Sequence, residues 1–194
     1  ERRADYSKFR PILKEIEKSH KLDYFLIVTG SHLLPEHGNS IKEIQSDGFT
    51  VAKKFQMYSK QKKDSAVEMS KSFGRCVIEL SNIIEKLNPT IILSGFDIGS
   101  NLAVSVVGAH LNKIVAHVEG GEVTGTIDES IRHATTKFSH IHFTSNKTAS
   151  KRLIKMGEKA KYVFTVGNPS LDYIKKIPKI SQNILNKEFG INVR

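Results

Sequence analysis

From His117 to His133 the sequence reads HVEGGEVTGTIDESIRH. Glu119, Glu122, Asp128 and Glu129 set four carboxylates along a glycine-rich stretch that directly follows the apolar run KIVAHV. Carboxylates this close repel one another and need solvent, a cation or a polyhydroxylated ligand beside them. The segment is therefore the first candidate for a site. Asp97, in GFDIGSN (95–101), and His32, in GSH (30–32), stand in comparable places, each just past an apolar run that ends in glycine.

The elements that must position these residues follow from the hydrophobic rhythm. DYFLIVTG (23–30), PTIILSG (89–95), KIVAHVEGG (113–121), SHIHFTS (139–145) and KYVFTVGNP (161–169) are short apolar or β-branched runs closed by small or polar residues, the pattern of buried parallel strands. Between and around them, amphipathic stretches predict helices at about 5–18, 39–46, 64–87, 99–111, 127–138 and 146–156. Such βα alternation predicts an α/β, Rossmann-like, doubly wound parallel sheet. In open sheets of this kind ligands sit beyond the carboxyl ends of the strands. GSH, GFDIGSN, EGGEVTGTIDE (119–129) and GNPS (167–170) all fall there, so several loops are expected to converge on one rim. Glycines at such turns let backbone N–H groups approach a ligand, and helix N-termini attract phosphate. No G-x-G-x-x-G follows a strand and no Walker lysine is present, so NAD and ATP are weak readings and no cofactor is expected.

Both ends of the chain are unusual for this alternation. RADYSKFRPILKEI begins as a helix almost at once, and the expectation is that a first strand is missing ahead of it. After VGNPSLDYIKKIP comes a further helix and then INV, which reads as the start of another strand. The expected organisation is a Rossmann-like domain over 1–168 and a helical connection over 169–194 toward a second domain.

Composition bounds the partners. The chain has 194 residues, 39% of them apolar and 26% charged, enough for one hydrophobic core. Its single cysteine, Cys76, excludes an intrachain disulfide and the zinc patterns built on paired cysteines, and fits a reducing, cytoplasmic setting. No apolar run approaches the roughly 20 residues that span a bilayer, and no membrane partner is expected. The formal charge of +10 is concentrated in 53–63 and again from Lys147 to Lys187. It suits a phosphorylated ligand or plain solvated helix faces; no RNA-binding or zinc-finger motif accompanies it, and no nucleic acid partner is expected.

Each candidate has a plainer structural reading. Asp128 and Glu129 favour a helix N-terminus in their own right. Arg132 stands four residues after Asp128, the spacing of a surface ion pair. His117, on a buried strand, reads as a hydrogen-bonded core histidine. His140 and His142, with His133 nearby, have the residue types of a zinc site but lie at a strand start, away from the loop rim, and no metal is expected.

Taken together, RADYSKFRPIL (3–13), GSH with HGNSIKEI (37–44), the Asp97 that follows IILSGF, HVEGGEVTGTIDESIRHATTKFSHIHF and VGNPSLD resemble the hydrolysing UDP-N-acetylglucosamine 2-epimerases of sialic-acid biosynthesis, from Arg3 to about Asp172. The resemblance implies a pair of Rossmann-like domains of the glycosyltransferase-B type with a UDP-sugar in the cleft, this chain being the N-terminal half. It implies loss of the C2 proton, expulsion of UDP and hydration of the resulting 2-acetamidoglucal to N-acetylmannosamine. By motif position it assigns Asp97, Glu119 and Glu129 as catalytic acids, and Arg3 and Ser7 to UDP binding. His32, His117 and Arg132 follow as further substrate-binding candidates, and a homo-oligomer is expected for the intact protein. Where these enzymes commonly carry Gly-Asp-Arg, this chain has Phe96, Asp97 and Ile98; the missing arginine points to a related UDP-diacetamido sugar of the bacillosamine type. A glycosyltransferase of the same architecture, or a non-catalytic nucleotide-sugar binding module, stays open beside this reading.

Overall fold

Six parallel strands and eight α-helices alternate along the described part of the chain, which in the computed structural model comprises residues 1–59, 65–176 and 178–190. Helix α1 (Arg3–Glu17) leads into β1 (Leu26–Val28), α2 (Ile41–Ser46) and β2 (Val51–Lys54). Then follow α3 (Ala66–Leu87), β3 (Ile91–Gly95), α4 (Gly99–His110), β4 (Ile114–Val118), α5 (Ile127–Lys137), β5 (Ile141–Thr144), α6 (Lys147–Lys155) and β6 (Val163–Thr165). Helices α7 (Pro169–Lys176) and α8 (Gln182–Phe189) close the described chain. This is the expected parallel, Rossmann-like α/β fold.

The strands pair in two groups. β3, β4, β5 and β6 lie side by side in chain order, all parallel, and β1 pairs with β2. Strand β2 is an addition to the expected set: FTVAKK runs into the lysine-rich segment and carries two exposed lysines, so it lacks the apolar signature that marks the other strands. Lys60, Lys62 and Lys63 of that charged run, and the INV expected to begin a strand, lie outside the described residues.

Local signals set the helix ends. Ser65 accepts a hydrogen bond from the Glu68 N–H at the start of α3, and Asn88, in left-handed conformation, ends it. Asn146 accepts from the Ala149 N–H to start α6. One core joins Cys76, Leu80 and Ile84 of α3 to Ile92, Ala103, Val107 and Val115; a second joins Tyr6 and Leu13 of α1 to Val28, Ile41, Ile44 and Phe49. Truncating a buried leucine such as Leu80 to alanine costs roughly 2–5 kcal/mol in sites of this kind. Burial pushes the Cys76 thiol up to about 12, so it packs as a small apolar side chain.

Register aligns the strand ends that matter. Gly95 of β3 sits opposite Val118 of β4, and Val118 opposite Phe143 of β5. The ladder continues one step beyond the strands, with Phe96 N–H donating to Val118 O at 3.1 Å and Glu119 N–H to Phe143 O at 2.8 Å. Asp97 and Glu119 therefore leave adjacent strands at the same level.

Candidate active site at the ends of β3 and β4

Two non-glycine residues on this rim hold left-handed backbone, Phe96 at φ 70° and Glu119 at φ 60°. That conformation costs an ordinary residue on the order of 1–3 kcal/mol and persists only where the surroundings impose it. Here they do. Phe96 is buried, with Phe9 of α1 edge-on to its ring at 5.1 Å and its carbonyl 3.4 Å from His117 Nε2. Gly95 lets Phe9 in: a Cβ there would stand 2.9 Å from the Phe9 ring. The turn after Glu119 is equally tight, since a Cβ on Gly120 would lie 2.8 Å from His117 Nδ1 and one on Gly121 2.6 Å from the Ala149 carbonyl oxygen.

Asp97 is clamped by two guanidinium groups. Arg2 Nη2 donates to Oδ1 at 2.9 Å, and Arg132 Nη2 donates to Oδ2. Arg132, only 4% exposed, also donates from Nη1 to the Glu122 carbonyl at 3.0 Å. The i,i+4 pair of Arg132 with Asp128 is thus replaced by a bridge from α5 to the end of β3, because the guanidinium is turned inward. Glu119 is 7% exposed; Lys8 Nζ donates to its Oε2 at 2.6 Å, and its Oε1 is buried without a hydrogen-bond partner. Lys8 also stands over the Phe96 ring, 4.3 Å from its centre, where the π-face attracts a cation.

Glu129 accepts from the Thr124 and Gly125 N–H groups, each at 2.9 Å, and these bonds hold its carboxyl below the usual carboxylate value. It serves the turn before α5, where Thr126 is the N-cap. Glu122 accepts from Ser145 and, at 2.7 Å, from Asn146 Nδ2. Of the four acids on this stretch, Glu119 alone meets a lysine among the described residues.

The remaining predicted residues fall into two sets. His117 and His32 are buried: His117 lies between Thr136 Oγ1 at 3.1 Å and the Phe96 carbonyl, and His32 Nδ1 lies 2.8 Å from Ser40 Oγ. Burial lowers them to about 3 and about 4, so both are neutral at pH 7. With its one ring proton on Nε2, neutral His117 donates to the Phe96 carbonyl, while Thr136 Oγ1, beside Nδ1, donates to the Arg132 carbonyl at 3.2 Å. Arg3 and Ser7 lie on the outer side of α1, Arg3 76% exposed and paired with Glu43 at 3.1 Å, Ser7 donating to the Ala4 carbonyl at 2.7 Å. The structure brings Asp97, Glu119, Arg132 and His117 together and leaves Arg3 and Ser7 apart from them.

Arg2 and Lys8 were not among the predicted residues. Each is one cation among many in or just before the basic helix α1, and only the path of the folded chain singles it out. Lys8 precedes Phe9, which packs on Gly95, and that adjacency is the one local signal that it approaches the rim. His142, the register partner of His117 on β5, has its Nε2 3.2 Å from Glu158, and His140 Nδ1 accepts from the Val115 N–H. Among the described residues no group of three or more His, Cys, Asp or Glu side chains could hold a metal ion, and no helix is long and apolar enough to cross a membrane.

Comparison with known proteins places this rim in context. A UDP-N-acetylglucosamine 2-epimerase from Neisseria meningitidis is 33% identical over 97% of this chain and 49% of its own length. A UDP-N,N'-diacetylbacillosamine 2-epimerase (hydrolyzing) from Legionella pneumophila is 35% identical over 98% of this chain and 50% of its own. The chain thus spans about half the length of the curated relatives it matches. A crystal structure of a UDP-GlcNAc 2-epimerase from Neisseria meningitidis, bound to UDP-GlcNAc, superposes with a TM-score of 0.76 over 89% of this chain and 46% of that one, at 18% identity. The family profile described as UDP-N-acetylglucosamine 2-epimerase matches residues 14–192, and the chain belongs to that family.

Proposed function

We propose that the chain carries the acid–base half of a hydrolysing 2-epimerase acting on UDP-N-acetylglucosamine or on a UDP-2,4-diacetamido sugar of the bacillosamine type. The observation that carries this reading is the pair Asp97 and Glu119 on adjacent strand ends, one held by two guanidinium groups and the other retaining an unpartnered oxygen. The names and reach of the relatives support the substrate class. A proton on the carbon next to the anomeric centre is weakly acidic, so a positioned base is needed, and the departing UDP carries negative charge that nearby cations offset.

The reaction runs in two stages. A carboxylate removes the C2 proton, the C–H electron pair becomes the C1=C2 bond, and UDP leaves C1 with the electrons of the C–O bond. Water then adds to the 2-acetamidoglucal, hydroxyl at C1 and hydrogen at C2 on the opposite face, giving the free 2-epimer. Asp97 and Glu119 serve proton transfer, with Arg132 holding Asp97. Glu129 assists by fixing the glycine loop beside them, and neutral His117 supports the strained Phe96 carbonyl. Arg3 and Ser7, on the outer side of α1, are assigned to UDP and His32 to the substrate by their motif positions; the second wall of the cleft comes from a further domain. The intact protein acts in the cytoplasm, as a homo-oligomer whose copy number light scattering reports.

The test is incubation of the full-length protein with each UDP-sugar in D2O. The expected result is free UDP and a free 2-epimer carrying deuterium at C2, seen by NMR. UDP release only with an added acceptor sugar would assign a transferase, and binding without turnover would assign a binding module.

A further inference from the structure

We propose that the outer side of α6, with the turn that follows it, is a contact surface for a bilayer rich in anionic lipid headgroups.

From Lys147 to Lys161 six lysines and arginines stand against a single acid, Glu158. That acid is turned inward: Lys137 Nζ donates to its Oε1 at 2.6 Å, and His142 Nε2 lies 3.2 Å from its Oε2. Arg152 is committed as well, to the Gly121 carbonyl. Lys147, Lys151, Lys155, Lys159 and Lys161 remain, all exposed, and none of them meets a carboxylate among the described residues. Like charges four residues apart on a helix repel, so a merely solvated face usually carries acids among its lysines. This one has lost its only acid to the interior.

The surface is also rigidly displayed. Ala149 and Leu153 are fully buried on the inner side of α6, and Asn146 caps its start. Lys147, Lys151 and Lys155 recur at every fourth residue, so they share the outer side over about 12 Å. Ile154 is 44% exposed between Lys151 and Lys155, and Tyr162 is 41% exposed with Lys161 Nζ 4.8 Å from its ring centre.

Three features select the partner. The free cations are all lysines, point charges that need no geometric match, whereas the arginine fork is the group suited to reading bases. Lysine is depleted at the core of protein–protein interfaces. An apolar and an aromatic side chain set among lysines is the composition of surfaces that rest in the headgroup layer, where each lysine is drawn by the diffuse negative potential. The lack of a spanning helix bears on crossing a bilayer and not on lying against one.

Flotation of the full-length protein with vesicles of phosphatidylcholine alone, or of equal parts phosphatidylcholine and phosphatidylglycerol, tests this. At about 0.05 M salt the anionic vesicles are expected to bind at least about tenfold more tightly than the neutral ones, and that preference should fade by about 0.5 M as the charges are screened. Replacing Lys151, Lys155 and Lys159 together by glutamine should weaken anionic binding at least about tenfold without lowering the melting temperature. The same three positions as arginine keep the charge and should bind as the wild type does, which separates lost charge from lost structure. Lys42→Gln, Lys53→Gln and Lys54→Gln together remove equal charge from exposed positions on α2 and β2 and should change binding less than about threefold. Equal binding to both vesicles overturns the proposal. So does an arginine triple that binds as weakly as the glutamine one, or a control triple that loses as much as the α6 triple. A DNA oligonucleotide held through these lysines more tightly than the anionic vesicles also overturns it, and assigns the surface to nucleic acid.

Discussion

Asp97 and Glu119 occupy adjacent strand ends yet sit in different electrostatic settings, and their isosteric variants should separate accordingly. In the proposed reaction Glu119→Gln removes a proton-transfer group and frees a partly exposed lysine that water can reach, so kcat should fall at least about 10²-fold, the scale of a lost acid–base group, with little change in melting temperature. Asp97→Asn should lower kcat as well, but it also strands Arg132, which is only 4% exposed, without its anion. Breaking one side of a buried ion pair costs about 3–5 kcal/mol, so a clear drop in melting temperature is expected for this variant alone. Equal melting temperatures for the two variants would contradict the clamp. The placement of Asp97 and Glu119 at adjacent strand ends was legible in the sequence because each is an acid just past an apolar run, at a turn. The burial of His117 was legible too, from its place inside KIVAHV. Arg2 and Lys8 were not: in a chain with 30 lysines and arginines, residue type alone does not distinguish the cation that faces inward.

At the scale of elements, the turn EGG between β4 and α5 fixes where Glu119 points, and its two neighbouring glycines are not equivalent to a third farther on. Gly121 has φ 85° and would drive a Cβ to 2.6 Å from the Ala149 carbonyl oxygen, whereas Gly125 has φ 69° and open space around it. Gly121→Ala combines strain with a backbone collision and should cost more than about 2 kcal/mol; Gly125→Ala bears only the strain, about 1 kcal/mol. Urea melts of the two variants measure the difference, and a Gly125 variant as unstable as the Gly121 one would contradict it. The strands and helices around this turn were legible because a buried parallel strand is an uninterrupted apolar run. Strand β2 was not, since its pairing to β1 comes from distant chain and two of its four residues are exposed lysines.

Over the whole molecule, the buried histidines make stability depend on pH. His32 and His117 have unfolded values near 6.5, but burial holds them at about 4 and about 3 in the folded chain. Below pH 6.5 the unfolded chain therefore binds protons that the folded chain refuses. Their full contribution is present above 6.5 and declines as pH falls, by up to about 1.4 kcal/mol per pH unit for each histidine until its folded value is reached. The urea midpoint should be lower at pH 5 than at pH 7, and His117→Gln should flatten that slope; a wild-type midpoint unchanged between the two would count against neutral, buried histidines. One more consequence lies in how the rim is fastened. Arg132 grips the Glu122 carbonyl, Arg152 the Gly121 carbonyl and His117 the Phe96 carbonyl, so the loop path is held through main-chain oxygens that every residue possesses. The Val123 side chain, just past those anchors and 52% exposed, is not needed to hold that path. Such a rim can change its exposed side chains while its geometry stays inherited.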